Sequence, residues 1–298
     1  MNTTDLHIPS NRVRDIERYI LTELSGQYPE GELRSMTAML FEAFLGWDRV
    51  QWLLHRDETI NQSDLLRFHW AVEELKRYRP IQHICGYADF CGCRIRVTPD
   101  TLIPRPETEE LVALALQHAR PQHTDRPLRI LDLCSGSGCI AIALERSLPG
   151  AQVWGVDISG AALAVARDNA TANGAAVTFV QCDLLKEVPA LPADTFDLIL
   201  SNPPYVCDSE RAAMQPNVLD YEPGLALFVP DDDPLRFYRA IGRYAARHLT
   251  PQGALLFEIN ETLGAETSSL LTRMGFHTDL HQDFRGRDRM LTCSTSLV

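Results

Sequence analysis

Lysine is almost missing from this sequence: of its 28 basic residues, all but Lys76 and Lys186 are arginine. Basic residues are also outnumbered by 40 acids, which leaves a net charge of −12 over 298 residues. That balance argues against a sequence-independent grip on a nucleic-acid backbone, which needs a basic surface, and leaves room for no more than a local basic groove. Residues 1–85 carry 10 basic and 13 acidic side chains, so the amino-terminal part is no basic clamp either. A cationic small molecule or a basic protein surface remains a compatible partner. No apolar run approaches the length of a membrane span. The stretch from Met1 to Asp15 lacks the apolar core that a signal peptide needs. Eight cysteines without such a signal read as reduced thiols in a cytoplasmic protein. Cys91-Gly92-Cys93 has no second Cys pair or His pair at ligand spacing, so no metal is expected. Internal repeats and low-complexity tracts are missing too.

What is present suffices for a core: 45% of residues are hydrophobic and 23% charged. The length allows one large domain or two ordinary ones. Residues 1–85 read as three or four amphipathic helices in a small bundle. Val13, Ile16, Tyr19, Ile20 and Leu24 recur at helical spacing, as do Leu33, Met36, Leu40, Phe44 and Leu45. A third series, Leu65, Leu66, His69, Val72, Leu75 and Tyr78, follows candidate caps Ser63 and Asp64 and stops at Pro80. Trp47, Trp52 and Trp70 read as core. Residues 86–106 form a linker containing a hairpin, Tyr87–Cys91 with Arg94–Val97, turned at Gly92. Pro106 suits the first turn of a helix.

From there to residue 298 the pattern alternates. Strands are expected at Leu128–Leu133, Val153–Asp157, Val177–Gln181, Phe196–Ser201 and Ala254–Ile259. Helices fall at Ile140–Leu148, Ala161–Asn173 and near Leu235–Leu249, and two final strands at Phe276–His281 and Arg289–Thr295 flank a turn at Gly286. Such alternation predicts an α/β fold with a parallel sheet covered on both faces.

Two loops carry the chemistry. Asp132-Leu133-Cys134-Ser135-Gly136-Ser137-Gly138 joins a strand to its helix, and Gly136 and Gly138 let a ligand approach the backbone. Asp157, ending the next strand, can bond both hydroxyls of a ribose, and Asp183, ending the third, is in reach of an adenine edge. An adenosine-containing ligand is indicated. The spacing Gly136-x-Gly138-x-x-Ala141 also fits a dinucleotide fingerprint, so a NAD-dependent oxidoreductase is the rival. The chain offers no His or Tyr-Lys pair for proton transfer beside hydride. The second loop favours S-adenosylmethionine instead. Asn202-Pro203-Pro204-Tyr205 follows the buried strand Phe196–Ser201, where open α/β sheets bind ligands. Two prolines stiffen it and leave free carbonyls. Such a platform can accept both hydrogens of a planar –NH2 group while Tyr205 covers its face.

A nucleotide loop followed by Asn202-Pro203-Pro204-Tyr205 resembles the amino-methyltransferases, which act on exocyclic amines of bases or on glutamine amides. Leu102-Ile103-Pro104-Arg105-Pro106-Glu107-Thr108-Glu109, with Gly86-Tyr87 upstream, is similar to the signature of the HemK/PrmC family of release-factor glutamine methyltransferases. Tyr221-Glu222-Pro223, and Asp283, Gly286, Asp288 and Arg289, match that pattern as well. One departure is Cys134-Ser135, where the family more often has Gly-Thr. A sister family acting on a ribosomal protein typically has Arg-Ser-Pro where this chain has Arg105-Pro106-Glu107.

The resemblance implies a class I S-adenosylmethionine-dependent methyltransferase, Rossmann-like with a mainly parallel seven-stranded sheet, preceded by a helical substrate-recognition domain. It implies transfer to the amide nitrogen (N5) of the glutamine in the Gly-Gly-Gln loop of peptide chain release factors, leaving S-adenosylhomocysteine. Alternatives are a ribosomal-protein glutamine or a nucleic-acid amino methyltransferase. Asn202 Oδ1 and the Pro203 carbonyl are expected to hold the amide hydrogens, with Pro204 and Tyr205 completing the site, and Asn202 is counted among the cofactor-binding residues as well. Gly136 and Gly138 are assigned to the methionine portion. Asp132 either meets the methionine amino group or ties down the glycine loop. Arg105 and Glu107 either line the substrate channel or only hold the linker, and Arg289 holds the last strands. Direct nucleic-acid or membrane binding is not expected.

Overall fold

The computed structural model describes residues 10–119 and 126–295, so residues 1–9 of the Met1–Asp15 stretch lie outside the described part. It divides into two compact units.

The first unit runs to Gly86 and takes in the short segment Pro216–Tyr221. Its helices are α1 (Val13–Glu23), α2 (Glu30–Leu45), α3 (Arg49–Leu54), α4 (Gln62–Lys76) and α5 (Ile81–Cys85). They enclose a core that includes Ile16, Ile20, Leu40, Phe41, Phe68, Val72 and Leu75. Two details of α4 differ from the sequence reading. Its cap is Asn61, whose side chain accepts the Asp64 N–H, and not Ser63 or Asp64. Its buried stripe is Phe68, Ala71, Val72 and Leu75. Trp70 therefore points away and is 61% exposed, which corrects its assignment to the core. Leu65, Leu66 and Trp70 add apolar positions outside the buried stripe of α4, so two helical stripes competed in the sequence.

The second unit begins with the hairpin β1 (Tyr87–Phe90) and β2 (Cys93–Arg96). Its turn residues Cys91 and Gly92 both have positive φ, 47° and 74°, the geometry of a tight two-residue hairpin loop. Helix α6 (Pro106–Ala119) follows, with Pro106 at its first position. Then come β3 (Arg129–Leu133), α7 (Cys139–Ser147), β4 (Gln152–Asp157), α8 (Gly160–Ala172), β5 (Val177–Gln181) and β6 (Phe196–Ser201). Two short strands, β7 (Val206–Cys207) and β8 (Phe228–Val229), pair with each other, and α9 (Pro216–Leu219) falls between them in sequence. The chain continues through α10 (Arg236–His248), β9 (Leu249–Glu258), α11 (Gly264–Thr272), β10 (Phe276–Gln282) and β11 (Asp288–Thr295).

Seven strands form one sheet in the order β10-β11-β9-β6-β3-β4-β5. β11 runs against its two neighbours, and the β9-β6-β3-β4-β5 pairings are parallel. Successive strand residues point to opposite faces, and both faces are covered. Ile130, Leu198, Leu200 and Leu256 pack under α6, α7 and α8 on one side. Leu131, Ile199, Leu255 and Phe257 pack with α10 and α11 on the other. This is why β6 is buried along its whole length. The chain leaves β3 toward β4 on one side and returns to β6 on the other. The crevice between β3 and β6 is therefore the topological switch point, where such sheets bind ligands. Among the described residues, no helix is long and apolar enough to cross a membrane.

Candidate active site

Pairing of Leu133 with Ser201 and with Val156 brings the loops after β3, β4 and β6 to one level. They open on a cavity of about 490 Å³ whose wall includes Cys134, Gly136, Asp157, Asp183, Asn202 and Pro204. Pro203, buried, and Tyr205, half-buried, stand next to this wall.

The glycine loop is held by the protein itself. Asp157 Oδ2 accepts the Gly136 N–H at 2.8 Å, and its Oδ1 accepts the Ser159 N–H at 2.8 Å. The Gly138 N–H goes to the Ser135 carbonyl. What Gly136 and Gly138 contribute is backbone shape (φ 54° and 79°) rather than free donors. Cys134 is also left-handed, with φ 62°. A glycine takes that conformation freely, which explains the residue the family more often has there. A carboxylate oxygen has two lone pairs, so Asp157 retains acceptor capacity toward a ribose. Burial pushes its carboxyl above the usual range, against the pull of its backbone N–H donors.

Asp132 differs. It is fully buried, and neither carboxylate oxygen has a hydrogen-bond partner; the Ser135 hydroxyl beside it has none either. Burial pushes the Asp132 carboxyl up to about 8; the Ala141 N–H and Ser135 hydroxyl offset this only in part, and the Asp157 charge adds to it. Asp157 thus ties the loop, while the buried Asp132 sits behind the wall with the Ala141 N–H and the Ser135 hydroxyl as the nearby donors. A ligand bearing a cation fits this pair of orphaned polar groups.

Asp183 lines the cavity, but its carboxylate already holds Lys186 at 2.8 Å and the Leu185 N–H at 3.1 Å. The Lys186 ammonium, then the Leu185 N–H, hold it below the usual carboxylate range.

Asn202 Nδ2 donates to Thr108 Oγ1 at 3.3 Å, and Tyr205 donates its hydroxyl to Glu258 Oε1 at 2.9 Å. Arg105 and Glu107 are not part of the wall. Arg105 is paired with Glu222, which is buried and also accepts the Ile103 N–H. Glu107 faces Arg285 at 3.8 Å. Glu222 thus clamps the loop at Ile103 and Arg105. Arg289 is bound by Glu261 and Asp283 at the last strands. Sequence reasoning missed Thr108 and Glu258. Thr108 lay inside the quoted signature, and Glu258 ends a strand at the level of the site, which was the available signal.

Space around the loop is limiting. A methyl group on Gly155, in β4, would come within 2.5 Å of Ser135 Oγ and 2.6 Å of Phe179. Gly155→Ala is expected to cost about 1–3 kcal/mol in denaturant unfolding, the usual penalty of overpacking. An unchanged midpoint would show that the loop gives way freely.

A mainly parallel seven-stranded sheet with its antiparallel last strand, and a glycine loop facing an Asn-Pro-Pro-Tyr loop across the switch point, define a class I S-adenosylmethionine-dependent methyltransferase. Residues 18–86 match the family model of the PrmC N-terminal domain, and residues 112–219 that of the methyltransferase small domain. The release factor glutamine methyltransferase of Flavobacterium psychrophilum is 41% identical over 280 residues, covering 94% of this chain and 98% of that one. That of Bacteroides thetaiotaomicron is 41% identical over 281 residues, covering 94% and 99%. This chain belongs to the release factor glutamine methyltransferase family. Among solved structures, a ribosomal protein L11 methylase from Lactobacillus delbrueckii subsp. bulgaricus is 24% identical with a TM-score of 0.47, over 67% of this chain and 84% of that one.

Proposed function

We propose that the protein methylates the side-chain amide nitrogen of the glutamine in the Gly-Gly-Gln loop of peptide chain release factors. S-adenosylmethionine, when bound, supplies an electrophilic methyl group on a sulfonium. The observation that carries the reading is the position of Asn202 at the wall of the cavity, with Oδ1 accepting no hydrogen bond from any described residue. Asp157 would hold the ribose, Asp183 the adenine edge, and Asp132 the charged methionine end of the cofactor.

An amide nitrogen is a poor nucleophile because its lone pair is delocalised into the carbonyl. The chain's contribution is therefore position. Asn202 Oδ1 and the Pro203 carbonyl accept the two amide hydrogens and aim the nitrogen at the methyl group. Tyr205, anchored through its hydroxyl, presents its ring to the amide plane. Orientation of this kind supplies several kcal/mol of a barrier. No base is required, since an N-methylated amide sheds its extra proton to water. The net charge of −12 argues against a nucleic-acid acceptor. Eight unpaired cysteines suit the cytosol, where release factors work.

The test is transfer from methyl-labelled S-adenosylmethionine to a purified release factor, beside a factor whose Gly-Gly-Gln glutamine is alanine. Label in the unaltered factor alone is expected. Label in both would place the acceptor elsewhere on the protein. Label only in ribosomal protein or nucleic acid would replace this reading with one of those.

A further inference from the structure

Behind Asn202 lies a buried carboxylate that the mechanism above does not use. Glu258 closes β9 and is 1% exposed. Its Oε2 receives the Thr108 hydroxyl at 2.6 Å and its Oε1 the Tyr205 hydroxyl at 2.9 Å. Its own backbone carbonyl receives the Tyr238 hydroxyl at 3.2 Å. Thr108, from α6, is buried as well, and its oxygen is the acceptor for Asn202 Nδ2. Three segments far apart in sequence thus meet in one chain of hydrogen bonds: Asn202 to Thr108 to Glu258, with Tyr205 joining from the other oxygen.

The direction of these bonds follows from what each group can do. Burial raises the Glu258 carboxyl, and the Thr108 and Tyr205 hydroxyls together with the Arg289 charge oppose that rise by favouring the ionised form. An ionised carboxylate only accepts, so in this form both hydroxyls donate to it. A hydroxyl has one proton. Having given it to Glu258, Thr108 can offer Asn202 only a lone pair. The end of the Asn202 amide that faces Thr108 must then be the donor, Nδ2, and Oδ1 is left toward the cavity. Buried hydrogen-bond chains of this kind are stiff, because a reversed member would leave another unsatisfied.

We propose that Glu258 is a positioning residue that sets the hydrogen-bond polarity of the Asn202 amide through the Thr108 hydroxyl, so that the site presents an acceptor and selects substrates bearing N–H hydrogens. Glu258 also fixes the Tyr205 hydroxyl, so one carboxylate orients both side chains of the Asn-Pro-Pro-Tyr loop that face the acceptor. This rests on the reading that Asn202 receives the substrate amide, and it adds how Asn202 is kept facing the right way. A carboxylate buried only for packing would have no reason to be joined to Asn202 by a hydroxyl of matching polarity.

The experiment compares Thr108→Val, Thr108→Ser, Glu258→Gln and Thr108→Val/Glu258→Gln in the full chain, after S-adenosylhomocysteine binding has shown each to be folded. Valine keeps the shape of threonine without the hydroxyl; serine keeps the hydroxyl. Thr108→Val and Glu258→Gln are expected to lower kcat on the order of 10- to 100-fold with cofactor affinity unchanged, as a misoriented reacting group does. Thr108→Ser should stay within about threefold, and the double variant should fall no further than the worse single one, because both act through the same contact. A second readout needs no substrate. In protein labelled with nitrogen-15, the Asn202 side-chain NH2 signal, identified by its loss in Asn202→Ala, should shift in Thr108→Val and Glu258→Gln but not in Thr108→Ser. Full turnover in Thr108→Val, equal damage by serine and valine, or an Asn202 signal indifferent to Thr108 would each overturn the proposal. If the wild-type enzyme leaves release factor unlabelled, the functional reading falls while the Asn202 signal still decides this one.

Discussion

Asn202→Ala is expected to cut methyl transfer to release factor by about 100- to 1,000-fold, the loss typical of removing one preorganised hydrogen-bonding group from a reacting centre. Cofactor affinity should change little. Asn202 lines the cavity, but its one side-chain hydrogen bond among the described residues runs to Thr108 and not to Asp157, the proposed ribose ligand. A split between lost kcat and retained S-adenosylhomocysteine binding is therefore the signature. Asn202→Asp refines the same test. It keeps the size but puts an acceptor where Nδ2 donates, directly against an oxygen of Thr108 whose proton is held by Glu258. Near-normal turnover in Asn202→Asp would remove Asn202 from the acceptor site. Loss of cofactor affinity with turnover preserved would move it to the cofactor side.

The second large effect concerns Asp132. Its carboxyl is pushed up to about 8 by burial, which the Ala141 N–H and the Ser135 hydroxyl offset only in part. The unfolded chain releases this proton near the ordinary 3.8. Between those values the folded protein binds one proton more than the unfolded one, so stability falls as pH rises through the window. Asp132→Asn removes that dependence. With water access and relaxation discounted, it should stabilise ligand-free protein by about 2 kcal/mol at pH 8 and hardly at all near pH 4. The same change should weaken S-adenosylhomocysteine binding about tenfold or more, since an ionised partner for a buried cation is lost. Denaturant unfolding at two pH values and calorimetry measure both. Equal destabilisation at the two pH values would mean that Asp132 has a protein partner in solution, and unchanged binding would detach it from the ligand.

The sheet was legible because its strands are short apolar runs between turn signals. Val177–Gln181 and Phe196–Ser201 agree residue for residue with the sequence reading, and β3, β4 and the last two strands differ by one residue at an end. Helix α11 was not anticipated, because in Gly264–Thr272 only Leu270 and Leu271 supply an apolar stripe. The register of α4 was misread for the opposite reason, an excess of apolar positions. At the site, each loop was visible from its own residues. What joins the loops was not. Asp157 clasping Gly136, Glu222 clamping Ile103 and Arg105, and Glu258 holding Thr108 and Tyr205 are contacts between segments 21 to 150 residues apart. Local patterns carry no information on such pairings. Arg105 and Glu107 illustrate this: the sequence left channel and linker open for them, and their partners in space, Glu222 and Arg285, lie 117 and 178 residues further on.

The scarcity of lysine has a practical side once the two amines are placed. Lys76 is held between Glu23 and Glu73. Lys186 stands at the rim of the cavity, 81% exposed, with its ammonium on Asp183. Apart from the chain's own amino terminus, an amine-directed dye meets Lys186 as the far more open of the two lysines, and that target borders the cavity. A chromophore attached there would sense filling of the cavity directly, which gives this protein a built-in handle for following ligand exchange by fluorescence without introducing a residue.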